Sequence, residues 1–179
     1  MEVFKRVWPM ALVVALNFLV TLSLFPGLTS QMTSPNFTDQ SGWYPIILIT
    51  LFNCFDFIGR TAPRWDAAIF IGPRMLWVPT LLRLIFIPGF IFCLHHLYFF
   101  TSDFMGYLTM SLMALTNGYF GTLAMMYGPA NVDAVNKERA GTIMVFFLTA
   151  GLTAGVWTGV LFNGLFGQQS TIIHGGRVY

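Results

Sequence analysis

Apolar residues gather into five long blocks along this chain, at approximately residues 8–26, 44–59, 77–97, 105–127 and 142–166. Each block is near the ~20 residues that a helix needs to cross a bilayer. The pattern predicts an all-α, polytopic membrane bundle of five transmembrane helices, forming a single transmembrane domain over residues 1–179. Lys5-Arg6 ahead of the first block resembles the start of a secretory signal. The apolar run continues to Pro26 with no small-x-small cleavage sequence at its end, so it is read as a retained span. Pro79 and Pro88 bracket Arg83 in the third block. Each removes a backbone donor, which predicts a break in that helix near its basic residue.

The composition sharpens this picture. Hydrophobic residues make up 56% of the chain and charged residues 9%, against roughly 25% charged in soluble domains. A water-soluble fold would lack the polar surface to cover such a core. Nineteen Phe and ten Met suit lipid-facing and adaptable packing surfaces. A net charge of +2 with scattered basic residues is too small to imply a nucleic-acid partner, and none is expected. Cys54 and Cys93 lie in apolar runs without ligand spacing and read as core thiols. His95-His96 and Asp103 lack the further ligands a metal site wants and read as interface residues. No nucleophile motif, phosphate loop or HExxH sequence occurs, so neither an enzyme nor a cofactor is expected.

The connections alternate in charge. Lys5, Arg6, Arg60, Arg64, Arg74, Lys137 and Arg139 fall on one side of the expected membrane, and Arg177 alone on the other. The positive-inside rule then places the N-terminus and the loops 60–76 and 128–141 in the cytosol, with the C-terminus outside. Asn36-Phe37-Thr38 is a glycosylation acceptor sequence in the first external loop, in agreement with that orientation.

The second block carries the chemistry. Ile49, Asn53, Asp56 and Arg60 follow the i, i+4, i+7, i+11 spacing of one helical face. Charges within a span are expensive and mark pathways by default. Asp56 would accept hydrogen bonds from hydroxyls, and Arg60 would donate. Two plainer readings stand beside this one. An intrahelical Asp–Arg pair could anchor the helix at the interface, with Arg60 snorkelling. Asp56-Phe57-Ile58-Gly59-Arg60 also matches the Asp-x-x-Gly-Arg pattern of major-facilitator cytosolic loops. Gly151, Gly155 and Gly159 repeat at four-residue spacing, which predicts a tight helix–helix seam or a sliding surface. Asn117 puts an amide in hydrocarbon and is expected to bond across helices. Glu138, in a charged turn before the fifth block, suits a helix start.

Several strings together resemble the C-terminal half of the equilibrative nucleoside transporters. They are Phe25-Pro26-Gly27-Leu28-Thr29-Ser30, Phe52-Asn53-Cys54-Phe55-Asp56-Phe57-Ile58-Gly59-Arg60, Arg83-Leu84-Ile85-Phe86-Ile87-Pro88, Asn117-Gly118-Tyr119, Tyr127-Gly128-Pro129 and Glu138-Arg139-Ala140-Gly141-Thr142-Ile143-Met144. Phe146-Phe147-Leu148 and Gly151-Leu152-Thr153-Ala154-Gly155 complete the set, in the family's order over nearly the whole chain.

The resemblance implies spans seven to eleven of an eleven-span, major-facilitator-like carrier. Such a carrier moves purine and pyrimidine nucleosides by facilitated diffusion, and the resemblance leaves nucleobases open as a further substrate class. It also implies that Asn53, Asp56 and Arg60 face the substrate cavity, with the acid and base on the ribose. Phe25, Leu152 and Ile49 match cavity positions, Pro26 an outer gate and Glu138 a cytosolic gate. The first six spans are missing, so a partial chain is expected, with an N-terminal half or a full-length relative as partner. The plasma membrane is the expected site, with lysosome or vacuole as the alternative. A non-transporting membrane subunit and a carrier of another substrate are the other functional readings.

Overall fold

A computed structural model describes residues 2–34, 43–95 and 102–167. The described residues form six α-helices and no strand: α1 (Glu2–Leu24), α2 (Trp43–Thr61), α3 (Trp77–Leu82), α4 (Phe86–Leu94), α5 (Asp103–Ala130) and α6 (Lys137–Phe162). α1 and α6 extend beyond their apolar blocks into charged sequence. The backbone ladder needs no apolar side chains, whereas the bilayer does. Asn36 and Arg177 lie outside the described residues.

The break expected in the third block is present. α3 and α4 are joined by a 3-10 turn at Arg83–Ile85. Pro79 lies in the first turn of α3, and Pro88 lies in the first turn of α4 just after the 3-10 turn, where it cannot donate back into that turn.

Among the described residues, four helical stretches are long and apolar enough to cross a membrane: Glu2–Gln31, Trp43–Arg64, Trp77–Leu94 and Ala134–Phe166. α5 is not among them, although its 28 residues would measure about 42 Å. Its sequence is diluted by Gly, Thr, Asn and Tyr. The packing explains why this is tolerated: α5 touches α1, α2, α4 and α6, so its neighbours shield much of it. Large apolar side chains are exposed on the outer helices, among them Ile46, Phe57, Leu82, Phe146 and Trp157, and on the open part of α5 at Phe104 and Leu112, as a lipid-facing surface requires.

Two glycine seams set the helix spacing. A Cβ on Gly151 would come within 2.4 Å of the Ala15 carbonyl oxygen. One on Gly155 would meet the Leu19 carbonyl oxygen at 2.9 Å, and one on Gly159 that of Leu22 at 2.9 Å. The repeat read from the sequence therefore lays α6 backbone to backbone on α1. The second seam joins α2 to α5. There a Cβ on Gly59 would fall 2.2 Å from the Leu115 carbonyl oxygen, and one on Gly118 would fall 2.2 Å from that of Asp56.

The buried side chains fall into two apolar clusters. One gathers Val7, Val14, Phe18, Leu123 and Met144, the other Leu24, Leu48, Phe52, Met110 and Met113. Along both α1 and α5 the clusters meet at the level of Asn17, Thr21 and Asn117, where polar side chains enter the interior.

Candidate functional site

Hydrophobic helices bury a polar side chain only where partners await it, because an unpaired polar group in an apolar interior forfeits its hydration. Asn17 and Thr21 stand one turn apart on α1 and point into the bundle, both essentially inaccessible. Asn117 enters from α5, equally buried. Asn17 Nδ2 donates to Asn117 Oδ1 at 3.0 Å and to its backbone oxygen at 3.2 Å. Thr21 Oγ1 lies 2.7 Å from Asn117 Oδ1 and 2.9 Å from the Asn17 carbonyl oxygen, both within reach of its single hydrogen.

Arg83 completes the interior cluster from the α3–α4 break. It is 2% exposed, the largest of the fully buried side chains. Its Nη1 donates to Asn17 Oδ1 and, at 3.4 Å, to Asn117 Oδ1. Its Nη2 donates to Thr21 Oγ1 at 2.8 Å and to the Met113 carbonyl at 3.3 Å. Arginine is suited to this place, since its planar fork spreads one charge over several fixed donors. An arginine at the centre of a span costs about 2.5–3.5 kcal/mol on insertion scales, so the surrounding acceptors carry much of the burden.

The cluster reaches the α2 stripe through one bond. Asn117 Nδ2 donates to Asp56 Oδ1 at 2.7 Å. The other carboxylate oxygen of Asp56 takes Arg60 Nε at 2.6 Å, the one ion pair among the described residues. Asp56 is largely enclosed at 13% side-chain exposure, while Arg60 is 47% exposed. The Arg60 guanidinium lies 5.8 Å from the centroid of the Phe18 ring, within cation–π range. An enclosed acid and an open, directed base thus lie side by side.

The intrahelical pair read as the plainer alternative does form, but its carboxylate is also tied across to α5. Asn53 is exposed and donates its amide back to the Ile49 carbonyl at 3.0 Å; Ile49 is half-buried. Phe25 stacks on Phe52 at a centroid distance of 4.1 Å, one turn along α2 from Asp56. Leu152 is half-buried against the same apolar cluster that holds Phe18. Pro26 is exposed beside Phe25. Glu138 is exposed with no ion pair among the described residues, and α6 separates it from Leu152 by about 21 Å of helix. Asn117 bonds across helices as expected.

The roles of Asn17 and Thr21 were not read from the sequence. Their signal was present, as two polar residues at helical spacing inside an apolar block. Nor were the two tyrosines that tether the loop between α2 and α3. Tyr119 Oη donates to the Ala68 carbonyl at 2.7 Å and accepts from Phe70 N at 3.2 Å, and Tyr127 Oη donates to the Ile71 carbonyl at 2.7 Å. No group of three His, Cys, Asp or Glu side chains gathers among the described residues.

Apolar helices around a charged pair that opens to one side define an integral membrane protein with a polar site. The nucleoside transporter family model matches residues 1–164, and the chain belongs to that family. It is 35% identical to the human equilibrative nucleoside transporter 2 over 178 aligned positions, covering 91% of this chain and 37% of the relative. The rat equilibrative nucleoside transporter 1 is 33% identical over 175 positions, covering 91% and 38%. An Arabidopsis thaliana relative, equilibrative nucleotide transporter 1, is 35% identical over 145 positions, covering 79% and 31%. The chain thus spans little more than a third of the length of these curated relatives.

Proposed function

We propose that this chain supplies the ribose-binding half of a nucleoside carrier that works by facilitated diffusion and alternating access. The observation that carries the reading is the Asp56–Arg60 pair, an enclosed acceptor beside a half-exposed donor in an apolar bundle. Vicinal ribose hydroxyls need such an acceptor and donor at neighbouring positions. Asp56 accepts from a hydroxyl, Arg60 donates to one, and the exposed Asn53 assists. Phe25, Ile49 and Leu152 shape the apolar part of the cavity, with Pro26 and Glu138 acting at the outer and cytosolic gates. Relatives named as nucleoside transporters support the substrate class. Purine and pyrimidine nucleosides are both substrates on this reading.

The same reading makes α5 a fifth span and the bundle the second half of a major-facilitator-like carrier in the plasma membrane. Seven basic residues, all on one predicted side, support a cytosolic N-terminus. Because the chain covers little more than a third of its relatives, the cavity is completed by an N-terminal half. On its own the chain does not transport.

Competition in reconstituted vesicles containing this chain and a candidate N-terminal half tests the substrate class. Unlabelled uridine should suppress uptake of labelled uridine, and uracil should do so weakly. Equal competition by uracil would remove the ribose from the account. Saturable uptake by the chain alone would refute the claim that it is incomplete.

A further inference from the structure

A buried cation without a carboxylate of its own needs a charge partner somewhere. Arg83 touches only amide, hydroxyl and carbonyl oxygens. The carboxylate nearest along its hydrogen bonds is Asp56, one amide away through Asn117. An amide side chain is a polar rotor, and its direction is chosen by its neighbours. Three donors converge on Asn117 Oδ1: Asn17 Nδ2 at 3.0 Å, Thr21 Oγ1 at 2.7 Å and Arg83 Nη1 at 3.4 Å. Reversing the amide would turn its NH2 group toward the Asn17 NH2 and the Arg83 guanidinium, neither of which can accept, and its oxygen toward the Asp56 carboxylate. Both contacts would be repulsive, so the amide has one orientation.

We infer that Asn117, oriented by Arg83, Asn17 and Thr21, is a positioning residue that fixes the rotamer of Asp56 for recognition of a ribose hydroxyl. The inference rests on the nucleoside reading for its substrate and on the geometry alone for the positioning. Oδ1 of Asp56 is occupied by Asn117 and Oδ2 by Arg60, so the carboxylate plane is set from both sides before any ligand arrives. A hydroxyl must then approach the remaining lone pairs from the open side, where Arg60 is exposed. Preorganisation of this kind lowers the ordering cost of binding.

Two variants test it. Asn117→Leu removes the bond to Asp56 at similar volume. Thr21→Val removes one of the donors that orient Asn117 together with the acceptor of Arg83 Nη2, and touches neither Asp56 nor Arg60, so its effect on Asp56 passes through the buried Asn117–Arg83 cluster. The first readout is the infrared carboxylate stretch of Asp56, isolated by difference against Asp56→Asn in the purified chain in nanodiscs. The expected result is a shift of this band in both variants, larger in Asn117→Leu. An unmoved band in both overturns the positioning role, and Thr21→Val decides the matter if Asn117→Leu does not fold.

The second readout is binding of uridine and of 2′,3′-dideoxyuridine to the chain paired with an N-terminal half. The wild type should favour uridine, and the variants should lose about 10-fold in affinity for uridine while holding the dideoxy analogue nearly unchanged. A general packing defect would weaken both ligands alike and would overturn the role in substrate selection. A shifted band with a wild type indifferent to the hydroxyls would refute the ribose assignment and leave the positioning of Asp56 standing.

Discussion

Gly118 of α5 lies so close to Asp56 of α2 that a Cβ there would sit 2.2 Å from the Asp56 backbone carbonyl oxygen and 2.7 Å from the Arg60 amide nitrogen. The helix that carries the charged pair therefore rests on bare backbone at the residue next to Asn117. Gly59 makes the reciprocal approach to Leu115. Approaches this close allow Cα–H···O contacts, and they fix the height at which Asp56 meets Asn117.

Gly118→Ala should consequently damage the site and the fold together. The obstacle is backbone, which cannot rotate away, so α2 must move outward. Overpacking of this kind costs typically ~1–3 kcal/mol. A lowered thermal midpoint in detergent is expected, with loss of uridine binding. An unchanged midpoint would mean that the α2–α5 approach is looser than described.

Gly151→Ala with Gly155→Ala provides a contrast. These residues pack α6 on α1 against Ala15 and Leu19. The pair should lower the midpoint comparably, yet leave the infrared band of Asp56 unmoved, because the α2–α5 seam is untouched. A shifted band would show that the two seams are mechanically coupled.

Arg60→Lys keeps the charge and loses the fork. The Nε bond to Asp56 at 2.6 Å depends on guanidinium geometry, which an ammonium on a flexible stem does not reproduce. Hydrogen bonds to charged groups contribute roughly 1.5–3 kcal/mol. Uridine affinity should fall by about 10-fold or more, which equilibrium binding measures directly, while the fold persists because Arg60 is exposed. Wild-type affinity would leave Arg60 as an interface anchor only.

Tyr119→Phe removes the hydroxyl that both donates to the Ala68 carbonyl and accepts from Phe70 N. The loop between α2 and α3 should open more often. Hydrogen–deuterium exchange over residues 66–72 should accelerate several-fold, with the α1–α6 seam unaffected. Unchanged exchange would assign the loop's order to Tyr127 alone.

Much of this was legible in the chain because it follows from spacing. The stripe Ile49, Asn53, Asp56 and Arg60 needs only helical periodicity, and the break at Arg83 needs only the two prolines. The repeat Gly151, Gly155 and Gly159 announces a seam without naming its partner helix. What spacing cannot give is which side chain from another helix answers a buried donor. Asn17 and Thr21 find their partners only in the fold, where Arg83 and Asn117 meet them. The block at 105–127 reads as a fifth span, yet α5 is not among the helical stretches apolar enough to cross a membrane, because Gly, Thr, Asn and Tyr dilute it.

The most direct test of the account is uptake of labelled uridine into proteoliposomes holding this chain with an N-terminal half, compared between wild type and Asp56→Asn. The account predicts saturable uptake in the wild type and its near-complete loss in the variant, with the variant folded and inserted. Undiminished uptake by folded Asp56→Asn would contradict the assignment of Asp56 to the substrate.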